Sequence, residues 1–170
     1  ILGDFDSVPA DIIEAYRQRG DIPIRRFNPV KDTTDTAIAM EQAAEMGADE
    51  ICFFGVTGTR LDHTLSNIFN LSLLRGRGIR GVIVDAHNRI TMPEEREIYL
   101  KRSEQFGKYI SLFPFGGEVR GVTLEGFRYP LQEYTLVPGD GGLAVSNEIA
   151  EETARICYRE GILILAESRD

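Results

Sequence analysis

Cysteine is scarce in this 170-residue chain, with only Cys52 and Cys157, each inside an apolar segment. Two cysteines so far apart make neither a disulfide framework nor a zinc-ligand spacing, which points to a reducing, cytoplasmic setting. Long apolar runs are missing too. The longest, residues 51–54 (ICFF) and 162–166 (ILILA), are far too short to span a bilayer. No basic segment followed by an apolar stretch suggests a signal peptide. Positive charge is in deficit: 19 Lys plus Arg against 27 Asp plus Glu leave a net charge of −8 and a pI near 4.9. Such a chain repels the phosphates of nucleic acids and anionic membranes, so neither is expected as a partner. Phosphate chemistry on so acidic a chain calls for a metal ion bridging carboxylate to phosphate. No internal repeat and no low-complexity tract occurs.

What is present is an ordinary globular balance, 42% hydrophobic and 27% charged, enough for one domain or two small ones. The chain opens at Ile1 without a methionine, and Ile1-Leu2-Gly3 reads as the end of a strand, so an upstream segment is expected. In the first half, short apolar runs alternate with helical patterns. Ser7 is placed to cap a helix with Pro9 in its first turn that stops at Gly20. Residues 22–27 read as a weak strand. A second helix starts near Asp32, carries Ala37, Met40 and Ala44 on one stripe, and ends at Gly47. Residues 50–54 read as a buried strand. The turn 55–60 leads into a third helix with Leu61, Leu65, Ile68 and Phe69 facing inward, and residues 81–85 form another strand. After about residue 90 the helical periodicity stops. Runs at 89–92, 97–100, 108–113, 119–124, 133–137, 153–158 and 161–166 are separated by Gly, Pro and acidic turns, the pattern of antiparallel strands. The expected fold is therefore an α/β domain with a parallel sheet over residues 1–90, followed by an all-β sandwich over 91–170.

Four clusters carry possible chemistry, three of them where strands of the α/β half meet helices, the edge at which open parallel sheets bind ligands. In Gly3-Asp4-Phe5-Asp6-Ser7, extended backbone turns Asp4 and Asp6 to one side. Two such carboxylates repel each other unless a cation lies between them, and Mg²⁺ prefers oxygen ligands of this kind. A polar turn capped by Ser7 is the simpler alternative. In Lys31-Asp32-Thr33-Thr34-Asp35 the two acids are three apart at a helix start. There Asp32 reads as an N-cap, with Asp35 favoured by the helix dipole. The stretch Gly55 to His63, continuing to Asn67 and Asn70, combines glycines, a helix N-terminus and the planar donor fork of Arg60, all suited to phosphate. It is neither a Walker loop nor the Gly-x-Gly-x-x-Gly pattern, and a solvated polar stripe is its alternative. The fourth, Gly141-Gly142 leading to Ser146-Asn147-Glu148, reads on composition as a turn.

In this order the clusters resemble the bacterial type of the thiamin pyrophosphokinase family. The resemblance runs through Gly3-Asp4-Phe5-Asp6-Ser7, Lys31-Asp32-Thr33-Thr34-Asp35 and Gly58-Thr59-Arg60-Leu61-Asp62-His63 to Asn67. It continues in Ser111-Leu112-Phe113-Pro114, Gly121 to Gly126, Tyr129-Pro130-Leu131 and Ser146-Asn147-Glu148. Thr59 departs from the glycine common at its place. The resemblance implies transfer of the terminal pyrophosphate of ATP to the hydroxyl of thiamin, releasing AMP, by a homodimer with thiamin near the subunit boundary. It implies that Asp4, Asp6, Asp32 and Asp62 gather around Mg²⁺ and the ATP phosphates, with Asp4, Asp6 and Asp32 as metal ligands. The expected ATP-binding residues are Lys31, Asp35, Thr57, Gly58, Arg60, His63 and Asn67, and the expected thiamin-binding residues are Ser146 and Asn147. Two other readings compete: a Mg²⁺-dependent phosphohydrolase with Asp4 as nucleophile, and a non-catalytic sensor of thiamin or nucleotide.

Overall fold

The computed structural model describes residues 1–3, 5, 8–26, 34–140 and 142–170. The chain is mostly β-sheet with few helices, and it divides into two compact units, Ile1–Gly47 and Ala48–Asp170. In the first unit, β1 (Leu2–Gly3) pairs in parallel with β2 (Arg25–Arg26). Helix α1 (Ala10–Arg19) ends at Gly20, as its sequence predicts. Pro9 is the residue just before the helix, not a member of its first turn, and the expected cap Ser7 lies outside the described residues. Helix α2 (Asp35–Glu45) starts later than expected. Its cap is Thr34, whose hydroxyl accepts the Ala37 N–H at 3.3 Å, so the N-cap role read for Asp32 belongs to Thr34. Asp35 does open the first turn, where the helix dipole favours an acid.

The second unit is two sheets sharing one core. β3 (Glu50–Phe54), β4 (Arg80–Val84), β5 (Asn88–Thr91), β7 (Tyr109–Pro114), β10 (Asn147–Glu148) and β12 (Leu163–Ser168) form one sheet in the order β10-β7-β12-β5-β4-β3. Among the described residues, only β3 and β4 run parallel in it, and every other neighbouring pair is antiparallel. β6 (Glu97–Lys101), β8 (Val119–Glu125), β9 (Leu131–Leu136) and β11 (Thr153–Cys157) form the other, in the order β6-β11-β8-β9. Period-two alternation decides what each strand buries. Ala154 and Ile156 of β11, Val122 and Leu124 of β8, Ile110 and Leu112 of β7, and Leu163 and Leu165 of β12 make the shared core. Central strand β12 is buried along nearly its whole length, and it lies between β5 and β7. β3, expected to be a buried strand, is an edge strand in which only Phe53 is buried.

Helix α3 (Leu61–Arg75) turns a different face inward from the one its apolar spacing suggests. Asn67, Leu71 and Leu74 are buried, whereas Leu61, Leu65 and Phe69 are exposed and Ile68 is half-buried. A close approach sets this choice. Gly81 of β4 has no Cβ, and one added there would lie 2.7 Å from Leu71 Cδ2 and 2.9 Å from Leu74 Cδ1. The helix therefore seats those two leucines on the bare glycine.

Gly161, in the turn before β12, is fixed more tightly. Its φ is +98°, and a Cβ there would lie 2.6 Å from the Glu118 carbonyl oxygen and 2.9 Å from Val119 Cα, both backbone atoms. Gly161→Ala is expected to destabilise the fold by about 3 kcal/mol, combining left-handed strain with overpacking. Urea unfolding checks it; a midpoint unchanged from wild type would mean the turn relaxes freely.

Candidate functional site

Because β3 and β4 run parallel with Phe54 opposite Val84, their carboxyl ends emerge side by side. The loop after β3 (Gly55–Arg60) thus meets Asp85, the first residue after β4. Thr57 donates its hydroxyl hydrogen to Asp85 Oδ2 at 2.8 Å. The other carboxylate oxygen, Oδ1, accepts the backbone N–H groups of His87 at 2.8 Å and Asn88 at 2.7 Å, and the Asn88 side-chain amide reaches both oxygens. Asn88 in turn accepts from Ser168 Oγ at 2.9 Å, tying the corner to the end of β12. Burial pushes the Asp85 carboxyl up, but the His87, Thr57 and Asn88 donors together outweigh it and hold Asp85 below the usual carboxylate range.

The far side of the loop is held by α3. Asn67, buried in the helix, donates to the Val56 carbonyl at 2.8 Å, and Thr64 Oγ1 accepts from Gly58 N at 3.3 Å. At the start of α3, Arg60 grips Asp62 with both Nε, at 3.2 Å, and Nη2, at 2.5 Å. Asp62 also accepts the His63 N–H at 3.0 Å. The Arg60 fork, foremost, brings the Asp62 carboxyl down to about 2, so it is ionised at any working pH, although its side chain is 63% exposed.

Thr57, Gly58, Arg60, Asp62, His63 and Asn67 are therefore brought together on one loop and the helix start it feeds. Asp35 opens α2 in the other unit. Asp4, Asp6, Lys31 and Asp32 lie outside the described residues. Among the described residues, no group of three or more His, Cys, Asp or Glu is placed to hold a metal ion. Asp85 went unassigned in the sequence, although an acid directly after the second of two parallel strands is a signal worth reading.

Ser146 and Asn147 sit at the other end of the same sheet, on the turn into β10. Ser146 has φ +57°, and its N–H donates to Ser111 Oγ of β7 at 3.0 Å. The buried Asn147 side chain closes a two-way clamp on Tyr129, accepting its N–H at 3.0 Å and donating to its carbonyl at 2.8 Å. This strand pairing was not legible: two residues carry no periodicity. Between β3 and β10 lie five strand spacings, roughly 24 Å at ordinary sheet geometry.

The chain is similar to known proteins along nearly its whole length. Residues 1–83 match the model of the thiamin pyrophosphokinase catalytic domain, and residues 95–163 that of the thiamin pyrophosphokinase vitamin B1 binding domain. The curated thiamine pyrophosphokinase of Bacillus subtilis (strain 168) is 34% identical over 170 residues, covering 99% of this chain and 78% of the relative. A crystal structure of thiamine pyrophosphokinase from Bacillus subtilis superposes with a TM-score of 0.89 at 32% identity, over 99% of this chain and 78% of that one. One from Geobacillus thermodenitrificans superposes with a TM-score of 0.84 at 34% identity, over 99% and 76%. A catalytic domain followed by a vitamin-binding domain defines an enzyme of the transferase class. The chain belongs to the thiamin pyrophosphokinase family. Among the described residues, no helix is long and apolar enough to cross a membrane.

Proposed function

We propose that this chain transfers the pyrophosphoryl group of ATP to the hydroxyl of thiamin, giving thiamin diphosphate and AMP. The observation that carries this reading is the loop 55–60 with the helix start it feeds, braced at the carboxyl ends of β3 and β4 within the segment matched by the catalytic-domain model. The thiamin oxygen attacks the β-phosphorus and forms the new O–P bond. The bond from that phosphorus to the α–β bridging oxygen breaks, and AMP leaves with the oxygen and its electron pair. Such transfers depend on positioning and charge stabilisation more than on covalent chemistry.

The donor chemistry fits a hard divalent cation. Asp62 is held ionised, and the acids read for the cluster, Asp4, Asp6 and Asp32, bring oxygen donors only. Mg²⁺, when bound, neutralises charge on neighbouring phosphates. Arg60, stationed on Asp62, presents its guanidinium to the transferring group, with Lys31 in a supporting role. The hydroxyl proton passes to a carboxylate oxygen not engaged by metal or to the His63 imidazole. Asp35, Thr57, Gly58 and Asn67 complete the ATP site. Asn67 contributes by fixing the loop, since one amide hydrogen is spent on Val56.

In this reading residues 1–90, with the parallel pairs β1–β2 and β3–β4, take ATP and the metal. Residues 91–170, as a β-sandwich, take thiamin beside Ser146 and Asn147. The separation of β3 from β10 by five strand spacings supports a homodimer. A second copy bringing its thiamin edge to the ATP edge of the first shortens a gap that one chain leaves open. The reaction is placed in the cytoplasm.

A product assay with thiamin, ATP and Mg²⁺ tests the reading. AMP is expected in step with thiamin diphosphate and only with Mg²⁺ present. ADP with thiamin monophosphate would replace this reading with ordinary kinase chemistry. Thiamin binding without turnover would make the chain a sensor.

A further inference from the structure

Beside the Thr57–Asp85 corner lies an open cleft of about 460 Å³, bordered by Thr57, Gly58, Thr64, Asp85, His87 and Asn88. Its hydrogen-bonding character follows from where its hydrogens already point. An ionised carboxylate only accepts, so the Thr57 hydroxyl hydrogen is committed to Asp85. The backbone N–H groups of His87 and Asn88 go to the same carboxylate. The Gly58 N–H goes to Thr64 Oγ1, whose own hydrogen goes to the Arg60 carbonyl at 3.3 Å. Five hydrogens that could have met an anion are thus spent inside the chain. Between Thr57 and Asp85 the corner offers the lone pairs of Thr57 Oγ1 over a negative carboxylate, with His87 on the border of the cleft beside them. A phosphate there would meet acceptors and charge of its own sign, which is unfavourable in a partly buried setting.

We propose that this corner receives neutral hydrogen-bond donors of the nucleoside of ATP, its sugar hydroxyls or the amino group of its base. Thr57 is the accepting residue and Asp85 the positioning residue that turns its lone pairs outward. The proposal rests on the pyrophosphokinase reading and sharpens it. It moves Thr57 from the phosphates to the nucleoside and leaves the phosphates to the Arg60 side of the loop.

The test compares two probes on the full chain: AMP, which carries the nucleoside, and inorganic tripolyphosphate, which carries only phosphates. Thr57→Val is expected to weaken AMP binding about tenfold, the effect of one lost hydrogen bond to a partly desolvated partner, and to leave tripolyphosphate binding unchanged. Thr57→Ser restores AMP binding. Asp85→Asn keeps an acceptor for the turn but puts an amide N–H₂ against Thr57. The hydroxyl must then accept and release its own hydrogen toward the cleft. AMP affinity is expected to fall as in Thr57→Val, with tripolyphosphate affinity rising or constant.

Thermal melts of each variant separate misfolding from loss of the contact. AMP analogues lacking the 2′-hydroxyl, the 3′-hydroxyl or the 6-amino group locate the donor. The analogue missing it loses about tenfold against wild type and nothing against Thr57→Val. Equal weakening of AMP and tripolyphosphate would overturn the proposal, as would a variant whose only change is a higher KM for thiamin. A wild-type chain that binds AMP without making thiamin diphosphate sinks the reaction assignment, yet still reports on the corner.

Discussion

Asp4→Asn and Asp6→Asn are each expected to lower turnover at least about 100-fold, roughly 2.7 kcal/mol of transition-state stabilisation, with the melting temperature of the wild type. The amide matches the carboxylate in size and keeps one carbonyl oxygen, so packing changes little. It removes the negative charge, and a hard cation discriminates against the neutral ligand. The charge that accumulates on the transferring phosphates then loses its counterweight. Asp62→Asn is a companion with a visible structural signature. Its carboxylate is exposed and gripped by Arg60, and exposed ion pairs contribute little to folding. A fall in turnover with an unchanged melt would place Asp62 in the reaction and not in the fold. Steady-state kinetics with saturating Mg²⁺ and parallel thermal melts are the measurements. Near-normal turnover in either Asp4→Asn or Asp6→Asn would remove both residues from the metal site.

Most of the strands of this chain, though not β10, were legible because their residues alternate or run continuously between strong turn signals. Glu50–Phe54 was read to the residue, and the runs after residue 90 fall within two residues of the observed strands. Local chemistry sets those boundaries. Which face of α3 turns inward was not legible. Leucines and phenylalanine lie nearly all around it, and the deciding feature is a missing Cβ at Gly81, on another strand. Asp85 escaped notice for a similar reason. Its partners include Thr57, 28 residues upstream, and no local pattern announces a contact of that separation. The loop 55–63 was legible as chemistry because glycine, arginine and aspartate stand together in sequence. Asn67 was legible as polar but not as a brace, because its partner carbonyl belongs to backbone and leaves no trace in side-chain identity.

Glu167→Ala is expected to destabilise the protein by about 3 kcal/mol, more than an exposed glutamate could. The residue is 4% exposed on the central strand β12, directly across from Arg89 of β5. The pair is bidentate, Nε to Oε1 and Nη2 to Oε2, both at 2.7 Å. Oε2 also accepts the Phe106 N–H at 3.1 Å. The guanidiniums of Arg89 and Arg169 lie 5.7 and 4.7 Å from the centre of the Phe106 ring, so one carboxylate anchors a cluster of two cations and an aromatic. Truncating it leaves a guanidinium and a backbone N–H without their acceptor, and that loss dominates the cost. The partial exposure of Arg89, 31%, lets water recover some of it and sets the figure at the low end for a buried pair. Arg89→Met with Glu167→Leu, which removes both charges and keeps the volume, is expected to regain most of the stability, because the desolvation cost disappears along with the attraction. Urea midpoints of the two singles and the double measure the coupling. If Glu167→Ala unfolds within about 0.5 kcal/mol of wild type, or the double is as weak as the single, the pair does not hold β5 to β12 and the strand hydrogen bonds suffice.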